Sequence, residues 1–163
     1  MAASIAFRLS GGAANNDPAA SLGGAMSSVG VTADTLFDTT SASEAFAGDT
    51  EYRCIYAYND GTEDFTLANV YIALQATVGV LALALGGEGL NGTAETVADE
   101  DTAPVGETFS SPTTGAGGLA MGALAQGDQY PIWVRRTISA ATGGTSLASN
   151  PAQLGVYAEY VPA

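Results

Sequence analysis

Apolar and polar positions alternate at period two along much of the chain, most densely between Gly48 and Leu85. After a turn at Gly48-Asp49, the run 51–58 sets Tyr52, Cys54, Tyr56 and Tyr58 on one face and Glu51, Arg53, Ile55 and Ala57 on the other. Either face is apolar enough to pack. Asn59-Asp60-Gly61 interrupts the run, a second follows from Asn69 to Val78, and a third from Val80 to Leu85. Alternation bounded by Asn, Asp and Gly predicts strands joined by turns. Three neighbouring strands predict a meander in the middle of an antiparallel sheet. Leu and Ala in the third run favour helix intrinsically, but a run hemmed by Gly79 and Gly86-Gly87 is too short to hold one.

The flanking segments follow the same pattern more weakly. Ser4 to Leu9 reads as a short strand, and 13–21 as a loop of Ala, Asn, Asp and Pro. Leu22 to Val31 is rich in Gly and Ser, a weak strand or an extended arm. Leu36-Phe37-Asp38 reads as another strand. Ser41 with Glu44 three positions on predicts a capping box and at most one helical turn before Gly48. Further strands are expected over 93–98 (a polar edge), 108–110 (anchored by Phe109), 117–124, 129–139 and 154–161, with a polar loop over 140–153. In 129–139, Tyr130, Ile132, Val134 and Ile138 share one side, and Trp133, Arg135 and Thr137 the other. No helical periodicity is long enough for an α/β core. The expected fold is all-β: one domain over 1–163, an antiparallel β-sandwich, Ig-like or jelly-roll-like, of eight or nine strands. Residues 11–31 are a candidate Gly/Ala-rich N-terminal arm.

Charge changes what this domain is expected to meet. The chain has 163 residues, 17 acidic side chains, no Lys and no His, for a formal net charge of −13. Its four cations are Arg8, Arg53, Arg135 and Arg136. Four Arg build no useful basic patch, so nucleic acid is not an expected partner, nor is an anionic membrane. Cations, a basic protein face or a salty medium remain compatible. The start of the chain lacks the basic-then-apolar pattern of a secretory leader, so none is expected. The longest apolar run, Val78 to Leu85, is far short of a membrane span.

Candidate chemistry is sparse. Cys54, the lone Cys, sits inside a strand pattern and reads as a buried small hydrophobe. Without His, the common nucleophile–base arrangements and Cys/His zinc sites are not available. Gly86-Gly87-Glu88-Gly89 lacks the Lys and following helix of a phosphate loop. No enzyme activity, cofactor or metal is therefore expected. Two acidic loops, Asp99-Glu100-Asp101 and Asp60 with Glu63 and Asp64, offer oxygen donors for calcium, but neither has the spacing of a helix-loop-helix calcium loop. Neighbours in a strand point to opposite faces. Arg136 thus falls on the side of Ile132, Val134 and Ile138, where it must pair with an acid or reach water at the rim. Arg135 joins Trp133. Trp133, Arg135, Arg136 and Arg53 are the candidate interface residues, since Trp and Arg are enriched at binding hot spots.

Three stretches carry a family resemblance: Tyr52-Arg53-Cys54-Ile55-Tyr56, then Ala94 to Glu100 with Thr102-Ala103-Pro104, and Gly127 to Thr137 with its Ile132-Trp133-Val134-Arg135-Arg136-Thr137 hexamer. Together, over about 48–139, they resemble virion proteins of tailed bacteriophages and prophages, most closely capsid decoration (cement) proteins. After the hexamer the family carries Pro and Gly; here Ser139 to Gly144 keeps only the Gly. The resemblance implies a non-catalytic protein on the outer capsid surface. It would bind the major capsid protein and stabilise capsomer junctions as a homo-oligomer, such as a trimer. A tail or baseplate protein of the same phage type is the nearest alternative. A carbohydrate-binding sandwich is another, with Tyr52, Tyr56, Tyr58, Tyr71 and Trp133 as stacking platforms if they face solvent.

Overall fold

The alternating segments form strands β1 (Ile5–Leu9), β2 (Gly23–Gly24), β3 (Asp49–Asn59), β4 (Phe65–Leu74), β5 (Val80–Leu85), β6 (Ala94–Thr96), β7 (Leu119–Leu124), β8 (Gln129–Ile138) and β9 (Gln153–Tyr160). They come from a computed structural model that describes residues 4–140 and 152–160. The fold is mostly antiparallel β-sheet. Most of the loop read over 140–153 and the end of the chain after Tyr160 lie outside the described residues.

The expected meander does not form. β3, β4 and β5 are consecutive in sequence, but β8 lies between β3 and β5 in a sheet of order β1-β3-β8-β5. β4 crosses to a second sheet of order β7-β4-β9. β2 and β6 make a separate two-stranded ribbon. β3 and β8 pair over ten residues, from Asp49 opposite Ile138 to Tyr58 opposite Gln129. Period two dictates which face a side chain takes; it carries no information about which distant strand will be the neighbour.

The two larger sheets share one apolar cluster. Leu9, Ile55, Ala57, Leu81, Leu83, Ile132 and Val134 from the first sheet meet Phe65, Ala68, Val70, Ile72, Met121 and Leu124 from the second. Burying a Leu, Ile or Val fully contributes about 1.5–3 kcal/mol. The opposite face of the first sheet is covered as well. There Cys54, Tyr56, Ala84 and Trp133 lie under Ala94, Val97, Leu22, Met26 and Phe109. β3 is therefore packed on both faces.

Residues 11–31 are laid against the body, and do not stand off it as an arm. Ser21 Oγ donates to Cys54 O at 2.6 Å, and Cys54 N donates to Ser21 O at 2.7 Å. Ser10, Ser21 and Ser27 are buried. Tyr56 Oη donates to Gly24 O at 2.7 Å and accepts from Ala94 N at 2.9 Å, tying the β2–β6 ribbon to β3. Gly23 allows the closeness: its φ is +96°, and a Cβ there would lie 1.7 Å from Glu95 O.

Three local expectations shift. The strand expected over 108–110 reduces to a single bridge, Ser110 opposite Leu83. Leu36-Phe37-Asp38 belongs to a turn region, not a strand, with Leu36 plugged into the core. β4 begins four residues before the predicted run and ends at Leu74. There Gln75 closes the chain on itself: its Oε1 accepts from Leu81 N at 2.7 Å and its Nε2 donates to Leu81 O at 3.1 Å. The capping box is present, with Ser41 Oγ accepting from Glu44 N and Glu44 Oε2 from Ser41 N, and α1 spans Ala42–Ala47.

Candidate functional site

The charged residues of β3 and β8 converge at one end of the core between the sheets. Glu51 lies directly opposite Arg136 in the strand register. Both fall on the face that carries Ile55 and Val134, so both side chains turn inward. Arg136 Nε donates to Glu51 Oε2. Its Nη1 donates to Asp38 O at 2.8 Å, and its Nη2 donates to Asp38 Oδ1 at 3.2 Å. Arg136 is wholly buried; the alternative of an Arg reaching water at the strand end does not hold. Burial pushes the Glu51 carboxyl up from its ordinary 4.5, and the hydrogen bond and charge of Arg136 offset that only in part.

Arg53, also buried, uses Nη1 on Tyr52 O at 3.2 Å and Nη2 on Glu100. Its Nε has no partner among the described residues. Phe37 is within reach of both guanidiniums, its ring centre 4.8 Å from Arg136 and 5.5 Å from Arg53. Cation–π attraction and ion pairing thus share the work of holding two buried cations.

On the other face Trp133 is fully buried and its Nε1 has no partner among the described residues. Arg135 is half-buried, its guanidinium 4.9 Å from the Phe109 ring centre. Three of the four candidate interface residues, Trp133, Arg136 and Arg53, therefore lie inside this chain. Phe37 and Asp38, which the sequence reading missed, complete their surroundings. The usable signal was a charge match: Glu51 and Arg136 are opposite charges on the apolar-side parity of two long strands.

Burial takes two rings out of the five-ring aromatic platform, while Tyr52, Tyr58 and Tyr71 are partly exposed. Tyr56 and Trp133 are interior. Tyr52 packs edge-on against Phe109 at 5.6 Å, and Arg8 covers Tyr58 at 4.4 Å. In the acidic loops Asp64 Oδ1 accepts from Gln126 N and Asp99 Oδ1 from the Thr102 hydroxyl. Among the described residues no three acidic, Cys or His side chains come close enough to hold a metal. A cleft of about 400 Å³ beside β1 and β9 is lined by Phe7, Val31, Leu74 and Leu154, with Asp34 as its one ionisable residue among the described residues.

The charge balance outside is one-sided. None of the four Arg is exposed, and of the acidic residues only Glu51 is buried. No protein-family model matches the chain, and comparison with curated proteins and with solved structures gives no match.

Proposed function

We propose that this chain is a non-enzymatic structural protein of a tailed-phage virion, seated on the outer capsid surface across capsomer junctions. In this reading the two larger sheets form a β-sandwich, Ig-like or jelly-roll-like, that serves as an inert spacer. Its partners are the major capsid protein and further copies of itself, a trimer being the natural arrangement at a three-fold junction. The observation that carries the reading is the exterior: carboxylates with no exposed Arg among them. Such a surface repels free copies from one another and complements a basic shell face. Stabilisation then comes from the area each copy covers, by mass action on the assembled state. The buried Tyr56 and Trp133 weigh against a carbohydrate platform.

The test is co-sedimentation of the purified protein with shells that lack it, followed by imaging. The expected result is saturable binding at a fixed copy number, spread over the shell, with raised resistance of the shell to heat. A persistent monomer that stays in the supernatant would overturn the reading. Copies confined to the tail would replace the capsid with the tail or baseplate as its place.

A further inference from the structure

Two exposed apolar side chains sit on the elements that flank the end of the first sheet where α1 enters β3. Phe46 on α1 is 62% exposed, and Val80 at the start of β5 is 53% exposed. The strand register brings their elements together, with Val80 opposite Thr137 and Asp49 opposite Ile138 on β8. Gly48, between α1 and β3, lies so near β8 that a Cβ there would be 2.9 Å from Ala140 N. A cleft of about 380 Å³ opens here, lined by Ala45 of α1, residues 77–80, Ile138 and Ser139.

Acid lies to the β3 side of this cleft, outside its lining. Asp49 starts β3, Glu44 lies in α1, and the 99–101 loop is fastened to β3 where Tyr52 N donates to Glu100 O at 2.7 Å. These groups are near enough to act on one another: desolvation, then repulsion from Asp49, Glu100, Asp99 and Glu44, holds the Asp101 carboxyl up. Glu100 is matched by Arg53. Glu44, Asp49, Asp99 and Asp101 have no ion-pair partner among the described residues.

We propose that this end of the molecule docks a segment of another protein in which Lys or Arg flank a bulky apolar side chain. The apolar group covers Phe46 and Val80 and enters the cleft, while the cations meet Asp49, Asp99, Asp101 and Glu44. Charge selects the occupant. A second copy of this chain brings more acid and no exposed Arg, and nucleic acid or an anionic membrane is repelled in the same way. A purely cationic ligand leaves the apolar patch uncovered. Docking of such a segment needs no capsid shell.

Fluorescence anisotropy of a short labelled peptide with one Phe between Lys clusters tests it, at an ionic strength of about 0.15 M. The control peptide has Ser in place of that Phe. The expected result is that the Phe peptide binds about tenfold tighter than the Ser peptide. Phe46→Ser with Val80→Thr removes that difference, and Asp99→Asn with Asp101→Asn weakens both peptides. Asp60→Asn with Glu63→Gln, beyond the far end of β3, changes neither. Equal binding of the two peptides, or equal loss from the far-end pair, overturns the proposal. Photo-crosslinking of the Phe peptide to the unmodified chain gives a readout that needs no variant to fold. Adducts at 44–49 and 77–80 support the proposal, and adducts confined elsewhere overturn it.

Discussion

Glu51 and Arg136 face each other across β3 and β8, both sealed from water and joined by a hydrogen bond from Nε to Oε2. Taking two charges out of water costs much of what their attraction returns, so the pair is a weak source of net stability. Breaking it is another matter, because one charge is left buried and unmatched. Arg136→Met is expected to cost about 3–5 kcal/mol in urea unfolding. Glu51→Leu combined with Arg136→Met is expected to cost far less than the sum of the two single changes. Additive losses in that double-mutant cycle would contradict the coupling.

Glu51 also gives stability a pH dependence of definite sign. Its carboxyl titrates at an ordinary 4.5 when unfolded and higher when folded, chiefly because burial disfavours the charge. Within that window the folded state holds the proton more tightly. Stability therefore falls as pH rises from about 4.5 through the folded value, and this contribution is flat above it. Urea unfolding at a series of pH values is expected to show the slope in the native sequence and a flatter profile in Glu51→Gln. An unchanged slope in Glu51→Gln would assign it to other carboxylates.

Salt is expected to stabilise the chain. A net charge of −13, with all four Arg at least half-buried, leaves self-repulsion among the exterior carboxylates. Raising ionic strength from about 0.1 to 1 M shortens the screening length from roughly 10 to 3 Å. Each 1 kcal/mol of repulsion removed raises Tm by about 2–4 °C for a chain of this size. Thermal unfolding in sodium and choline chloride distinguishes the causes: equal gains mean screening, and a gain confined to sodium would mean specific ion binding.

Cys54 is expected to be inert while the chain is folded. It is wholly buried against Tyr56 and Trp133, and that burial pushes its thiol well above the usual range. An aromatic disulfide reagent should label it only as fast as the chain unfolds. Rapid labelling of the native protein would mean that the 10–24 segment opens from β3 without global unfolding.

Alternation alone located β1, β3, β5, β8 and β9 to within a few residues, and Ser41 with Glu44 marked α1. It also placed Arg136 among apolar neighbours. Pairing was not legible: β8 between β3 and β5 is a long-range choice, made by side-chain fit across strands far apart in sequence. The end of β4 was misplaced because Gln75 supplies a side-chain clamp that no period reports. Phe37 and Asp38 carry a local strand pattern, while the partners that hold them, Arg53 and Arg136, are distant in the chain.

An ordinary strand holds its alignment because sliding it by one position would turn its apolar face to water. β3 lacks that safeguard. Such a slide would trade Ile55 and Ala57 for Cys54 and Tyr56 and keep apolar atoms inside on either side. It would, however, pull Glu51 away from Arg136 and strand both ions in the interior. The charges thereby choose among alignments that hydrophobicity leaves close in energy, and a chain stripped of them would gain grease at the expense of a single answer.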